Sequence, residues 1–155
     1  MSIGQNLQNL NIILTTPATP AANYLPFRIS GNQIFISGQL PMKDGVLQYA
    51  GKLGNEINLE EGQKAAELCA INIIAVLKTA CDGDLNKIKK CVKLGIFINA
   101  AADFIDFPKV GNGASDLMVK IFGENGKHAR FAIGASSLPR NAAVEIDAVF
   151  EIENI

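Results

Sequence analysis

The stretch GKHARFAIGASSL, residues 126–138, places a fixed cation at the entrance of a segment of small and apolar residues. Arg130 precedes that segment, and His128, the one histidine of the chain, stands two residues earlier. A half-buried guanidinium needs an acidic partner. Two interpretations stay open for Arg130. It forms an ion pair with Glu145 or Asp147 on a neighbouring strand, or it is a bidentate clamp for the carboxylate of a small ligand.

Two carboxylates form the second chemical feature. In the segment VEIDA, Glu145 and Asp147 are two residues apart, so an extended strand puts both on the same face. Repulsion between them raises the pKa of one, and a carboxylate with a raised pKa suits general acid–base work on water. A solvated acidic face of a terminal strand explains the same pattern, so both interpretations stay open.

Other polar residues carry weaker signals. Ser37 offers a hydroxyl beside the flexible amides of SGQ, but a serine nucleophile is not expected because the chain has no GxSxG motif. Tyr24 is in a position to line a pocket. Asn112 stands between two glycines, in a stretch that matches neither a P-loop nor a dinucleotide-binding motif. His128 is interpreted as a surface turn residue.

Composition excludes several function classes. The 155 residues are 48% hydrophobic and 19% charged with a net charge of −1, which predicts one domain over residues 1–155 and no nucleic-acid partner. The N-terminus lacks the pattern of a signal peptide and no apolar run could span a membrane, so a cytoplasmic location is expected. One histidine and three dispersed cysteines cannot supply a recognisable metal site. The low charge content favours an oligomer that buries part of the surface.

Hydrophobic patterning predicts the elements that position these residues, in the order β-β-β-α-β-α-β-β. A hairpin is expected around Gly31-Asn32, and a helix over 59–81 is expected to begin with a capping box between Asn58 and Glu61. A second helix opens near 106 with a proline in its first turn, or only near 114 because two glycines weaken its first half. The remaining segments read as strands, over 11–15, 91–98, 130–135 and 143–152. This order predicts an α+β fold with a mixed sheet, two helices on one face, and an open face that other subunits cover.

Four stretches together resemble the YjgF/RidA family, also called the translation-inhibitor or endoribonuclease L-PSP family. They are FISGQLP after Gly31-Asn32, AAELCAINIIAVLK, CVKLGIFINAAADF and ARFAIGASSLPRNAAVEIDAVFEI, which cover nearly all of the chain beyond Tyr24. The resemblance implies a chorismate-mutase-like α+β fold. It also implies homotrimers whose sheets form the inner wall of a barrel, with binding pockets in the clefts between subunits.

The resemblance also implies an activity. Family members characterised as enzymes hydrolyse reactive enamines and imines, such as 2-aminoacrylate, to 2-keto acids and ammonia, and they need no metal or cofactor. By residue-to-residue correspondence, Arg130 falls at the arginine that holds the substrate carboxylate. Glu145 falls at the glutamate that positions or activates water. Ser37, Tyr24 and Asn112 fall at other pocket positions.

The chain departs from the family pattern in two places. Ala132 stands where many members carry a cysteine, and the region 107–126 is longer and richer in glycine. The leading hypothesis is therefore an enamine/imine deaminase acting on small 2-imino acids. The alternatives are a non-enzymatic carboxylate-binding or regulatory trimer, and a ribonuclease or translation inhibitor.

Overall fold

The structure, a computed structural model, describes residues 1–20 and 22–154. The described residues form three α-helices, which are α1 (Ile3–Asn9), α2 (Leu59–Ala80) and α3 (Phe107–Phe122). The seven strands are β1 (Phe27–Ser30), β2 (Gln33–Gln39), β3 (Met42–Lys43), β4 (Val46–Leu47), β5 (Ile88–Asn99), β6 (Ala129–Ala135) and β7 (Val144–Ile152).

Five strands form one mixed sheet in the order β1-β2-β7-β5-β6, with β5 and β6 parallel and the other pairs antiparallel. Helices α2 and α3 pack on one side of it, and we call this side the helix face. Its core side chains are buried, as Ile34, Ile96, Ile146 and Phe150 show. The prediction of an α+β fold with a mixed sheet and helices on one face is confirmed.

No element of the described residues covers the other side of the sheet, which we call the open face. Besides polar residues, it carries the apolar side chains of Phe35, Phe97, Phe131, Ile133 and Val149. The exposed fraction is 43% for Phe35 and 47% for Ile133, high values for apolar residues. The chain by itself therefore leaves an apolar surface in contact with water.

Local sequence signals explain α2 and the turns. The Asn58 side chain accepts a hydrogen bond from the Glu61 amide at 2.9 Å, and the Glu61 carboxylate accepts one from the Asn58 amide at 2.8 Å. This is the predicted capping box. The predicted turn between β1 and β2 is also present, with Gly31 at φ +62°, a conformation that suits glycine.

Helix α3 begins at Phe107, so the first of the two predicted starts is correct. Gly113 does not break the helix because it lies where α3 crosses α2. A Cβ built on Gly113 would overlap the backbone of Gln63 in α2. Close approach of two helix backbones thus offsets the low helix propensity of glycine.

The strand predicted over 11–15 is wrong. The chain begins with α1, and residues 11–15 are outside the sheets. Ile12 packs on the core while Ile13 is 86% exposed, so the side chains alternate as in a strand although the backbone has no strand partner. The missed helix has its own signal, a capping box between Ser2 and Gln5. Among the described residues, no helix is long and apolar enough to cross a membrane.

Candidate functional site

Arg130 lies on β6, the edge strand of the sheet, and its neighbour on β5 is the buried Leu94 of the helix face. The half-buried guanidinium spans the gap to α3. Its Nη1 donates a hydrogen bond to Ser115 Oγ at 2.9 Å, and its Nη2 donates one to the Pro108 carbonyl at 3.1 Å. These bonds leave Nε–H and a further N–H on each Nη for a ligand.

A glycine lets α3 approach this arginine closely. A Cβ built on Gly111 would lie 3.1 Å from Arg130 Nη1 and 3.3 Å from the Cβ of Ala132. Ala132 is on the helix face beside the arginine, since its β5 neighbour is the buried Ile96. Asn112 follows Gly111 and is exposed on α3. The first turns of α3 therefore form one wall around the guanidinium.

Of the two interpretations of Arg130, the ion pair with Glu145 or Asp147 is wrong. Strand β5 separates β6 from β7, and both carboxylates point to the open face. Over residues 1–20 and 22–154, none of the ion pairs includes Arg130. Since a half-buried guanidinium without a carboxylate is unusual, the geometry leaves Arg130 available to an anionic ligand.

Glu145 is half-buried on the open face of β7, next to an irregular segment of the neighbouring strand β2. The pairing of β2 with β7 shifts between Ile36 and Gln39, and Gly38 lies in this bulge. A Cβ on Gly38 would overlap Glu145 Oε1, so the glycine makes room for the carboxylate. Burial raises the pKa of Glu145, and the negative charge of Asp147 raises it further. Repulsion by Asp147 contributes to this rise, as predicted, but burial is the larger cause.

Ser37 lies at the same bulge and holds the preceding loop. Its Oγ donates a hydrogen bond to the Leu25 carbonyl at 2.6 Å, and its amide donates one to the Pro26 carbonyl at 3.0 Å. Tyr24, next to Leu25, is 56% exposed. The structure thus brings Ser37 close to Gly38 and Glu145, with Tyr24 on the adjoining loop.

The predicted site residues form two groups on opposite sides of the sheet. The guanidinium half-site contains Arg130, and Asn112 follows Gly111 on the helix that contacts it. The carboxylate half-site contains Glu145 and Ser37, with Tyr24 nearby. One chain does not present Arg130 and Glu145 to the same small ligand, because the sheet lies between them.

Sequence reasoning missed two residues beside Arg130. His128 is a half-buried residue, not a surface turn residue, and its Nε2 is 2.9 Å from Ser115 Oγ. One signal was available, since residues two apart at a strand entrance share a face, as His128 and Arg130 do. Ser115 has no local signal, because only the packing of α3 on β6 brings it to the arginine.

The three cysteines, Cys69, Cys81 and Cys91, are buried and free. Burial raises the pKa of each thiol, and that of Cys91 reaches about 12. Such thiols are poor nucleophiles and poor metal ligands at neutral pH. Over residues 1–20 and 22–154, no three His, Cys, Asp or Glu side chains are grouped to hold a metal ion.

The strand order and the helices on one face define an α+β protein of the chorismate-mutase-like class. Residues 6–152 match the family model described as "YjgF/chorismate_mutase-like, putative endoribonuclease". The chain belongs to the YjgF/RidA family, as its motifs predict.

Relatives span nearly the full chain. Protein TCP17 of Trypanosoma cruzi is 44% identical over 153 residues, which are 98% of this chain and 95% of the relative. The crystal structure of Atu1372, a protein of unknown function from Agrobacterium tumefaciens, is 46% identical and superimposes with a TM-score of 0.92, over 97% of this chain and 92% of that one. The 2-iminobutanoate/2-iminopropanoate deaminase of Dermatophagoides farinae is 29% identical over 143 residues, 91% of this chain and 96% of the relative.

Proposed function

We propose that this protein is an enamine/imine deaminase that hydrolyses small 2-imino acids to 2-keto acids and ammonia. The observation that carries the proposal is Arg130, a half-buried guanidinium that Ser115 and Pro108 hold and that pairs with no acid among the described residues. Its remaining N–H groups suit the two oxygens of a ligand carboxylate. The deaminase named among the relatives, although only 29% identical, supports the same chemistry.

The second requirement is a group that moves a proton, and Glu145 suits that role. Its raised pKa brings the carboxyl closer to the pH at which it can take up and return a proton. Water oxygen bonds to the imine carbon, and its proton passes to the Glu145 carboxylate. Glu145 then returns the proton to the nitrogen, which gives a carbinolamine. Glu145 next takes the remaining hydroxyl proton and delivers it to the nitrogen as the C–N bond breaks and the C=O bond forms, so ammonia and the 2-keto acid leave. An enamine first takes a proton on carbon to become the imine.

We propose that the complete site forms between subunits of a homotrimer. Arg130 and Glu145 are on opposite faces of the sheet, so a second copy must bring its carboxylate half-site to the guanidinium half-site. The apolar open face supports this assembly, because burial of Phe35 and Ile133 removes exposed hydrophobic surface from water. In this proposal Ser37 and Tyr24 border the ligand from the Glu145 side, and Asn112 borders it from the Arg130 side.

The proposal also concerns the need for a cofactor and the choice between deamination and RNA cleavage. The chemistry needs no metal or cofactor, because an imine carbon is already electrophilic and requires orientation and proton transfer. A ribonuclease has weaker support, since the net charge of −1 provides no basic path for RNA.

The test measures 2-keto acid release from freshly generated 2-iminopropanoate. Arg130→Ala is expected to lower the rate about 10- to 100-fold, the effect of losing hydrogen bonds to a charged group. Arg130→Lys keeps the charge but loses the planar guanidinium, so its rate should lie between those of the wild type and Arg130→Ala. Lys127→Ala, which removes an exposed cation three residues away, is the control and should keep the full rate.

Two outcomes contradict the proposal. Full activity of Arg130→Ala excludes this residue as the anchor. Binding of pyruvate to the wild type without turnover of 2-iminopropanoate, 2-iminobutanoate or 2-aminoacrylate favours the non-enzymatic binding protein instead. Circular dichroism and the oligomeric state of each variant show whether a lost rate comes from a lost fold.

A further inference from the structure

We propose that Ser115 and His128 are positioning residues that hold the Arg130 guanidinium through a series of hydrogen bonds. In this series each group donates to the next, from Arg130 to the Gly126 carbonyl. The proposal deepens the proposed function, on which it depends for the identity of the ligand. The series connects four groups. Arg130 Nη1 is 2.9 Å from Ser115 Oγ, Ser115 Oγ is 2.9 Å from His128 Nε2, and His128 Nδ1 is 2.6 Å from the Gly126 carbonyl oxygen.

The chemistry of the groups sets the direction of each bond. A carbonyl oxygen only accepts, so His128 Nδ1 carries a proton and donates to Gly126. In the neutral ring the other nitrogen, Nε2, then accepts. Arg130 only donates, so Ser115 Oγ accepts from Arg130 and turns its own proton to His128 Nε2. Each donor meets one acceptor, and the tautomer of His128 follows from its partners.

The end of the series is anchored to the same helix as its middle. Ser115 belongs to α3, and Gly126 lies against the C-terminal half of α3. A Cβ on Gly126 would overlap the Met118 carbonyl, so the backbone there approaches the helix as only glycine can. The series therefore starts on β6, crosses to α3 and returns through His128. It ties the strand that bears Arg130 to the helix beside it.

This arrangement matters because an arginine side chain is long and flexible. Holding it in one conformation before the ligand arrives lowers the entropy lost on binding. Without Ser115, the guanidinium keeps only the exposed bond to Pro108. Without His128, the Ser115 hydroxyl loses the acceptor that orients it. His128 thus acts on Arg130 through Ser115 and not by direct contact.

Ser115 and His128 also have the spacing of a nucleophile and its base. The bond from Arg130 argues against that role, since it occupies the oxygen that would attack. The half-buried position between α3 and β6 argues against it as well. Labelling of Ser115 by a fluorophosphonate probe would overturn the positioning role.

The first test requires no substrate. Because His128 is the one histidine in the sequence, its ring ¹⁵N signals are unambiguous in the full-length protein. At a pH where the ring is neutral, Nδ1 should carry the proton and Nε2 should not. In Ser115→Ala, the Arg130 Nη signals should show faster averaging about the guanidinium bonds. Protonation at Nε2 alone would overturn the proposal.

The second test measures the affinity of pyruvate by calorimetry. Ser115→Ala should weaken binding about tenfold, and His128→Phe should weaken it by less. The double variant should bind no more weakly than Ser115→Ala, because both changes break the same series. His128→Gln supplies an amide oxygen near the place of Nε2 and should bind more tightly than His128→Phe. Additive losses in the double variant, or wild-type affinity in both single variants, would overturn the proposal.

Kinetics on 2-iminopropanoate separate this inference from the proposed function. Positioning of Arg130 predicts a higher KM for Ser115→Ala with kcat nearly unchanged. If no imine is turned over and the pyruvate affinities follow the stated pattern, the deaminase proposal fails and the positioning role stands. If turnover and KM are normal in both single variants, the positioning role fails and the deaminase proposal stands.

Discussion

Arg130 and Glu145 lie in the same sheet, yet their side chains leave it on opposite faces. Arg130 is beside Leu94 of β5 and turns to the helices, whereas Glu145 is beside Phe97 of the same strand and turns to the open face. An intramolecular ion pair between the two is therefore impossible. A ligand that needs both side chains must lie between two copies of the chain, and this requirement can be tested.

Mixed oligomers of two impaired variants should regain activity. Arg130→Ala lacks one half-site and Glu145→Ala lacks the other, so each alone is expected to keep about a tenth of the wild-type rate or less. In a cyclic trimer with heterologous interfaces, about a third of the sites in the mixed trimers have both groups intact. Co-expression with two tags, purification of the mixed species and a keto acid assay would measure this recovery.

The control for that experiment is a mixture of Arg130→Ala with the double variant Arg130→Ala/Glu145→Ala, whose rate should not exceed that of Arg130→Ala alone. Mixed oligomers that never exceed this control would contradict a site shared between subunits.

Gly38→Ala should displace the Glu145 carboxylate while the fold is kept. The added Cβ would overlap Glu145 Oε1, which is the end of a flexible side chain and can move aside. We expect the rate of keto acid release to fall about 100-fold, the order of loss that a displacement of about 1 Å can cause. Thermal melting should change little.

The matched rescue is Gly38→Ala/Glu145→Asp, in which a shorter acid makes room for the new methyl group. It should be more active than Gly38→Ala. A Gly38→Ala protein with the wild-type rate would show that the position of the carboxylate is unimportant.

Glu145→Gln should raise stability at neutral pH. The pKa of Glu145 is above its ordinary value of 4.5, first because of burial and then because of Asp147. The folded state therefore keeps the proton to higher pH than the unfolded chain, and the free energy of unfolding falls as pH rises through that window. The variant should melt at a higher temperature than the wild type above the window. The difference should shrink as pH falls through the window and stay small below about 4.5.

Melting curves from about pH 4 to about pH 8 would measure this difference. The comparison is Glu67→Gln, a change at an exposed residue. Its melting temperature should differ little from that of the wild type at every pH. A melting difference for Glu145→Gln that is constant with pH would contradict the raised pKa.

Gly113→Ala should destabilise the protein, although alanine is the better helix former. Alanine gains about 1 kcal/mol in a helix interior. Here its Cβ would overlap the Gln63 backbone in α2, and overpacking of this kind costs about 1–3 kcal/mol. Since backbone atoms yield little, the free energy of unfolding should fall by about 1–2 kcal/mol in urea denaturation.

Gly4→Ala is the control, because the nearest atom to its Cβ would be Ser2 Oγ at 3.9 Å. It should leave the stability unchanged or raise it. Equal stability of Gly113→Ala and wild type would show that α2 and α3 leave room for a methyl group at Gly113.

Local pattern was enough to predict the elements whose signals lie within a few residues. The capping box of Asn58 and Glu61, the turn at Gly31 and the shared face of Glu145 and Asp147 follow from spacings of two to four residues. Family motifs added the candidate roles of Arg130 and Glu145, which stay predictions.

The sequence by itself therefore determined where α2 begins and which residues of β7 share a face, because capping and strand alternation depend on near neighbours. Only the tertiary structure decided that β6 pairs with β5 and not with β7, which separates Arg130 from Glu145. It likewise decided that residues 11–15 find no strand partner and that Ser115 reaches Arg130. Strand order and helix docking result from burial summed over the whole chain, and no local spacing encodes that sum.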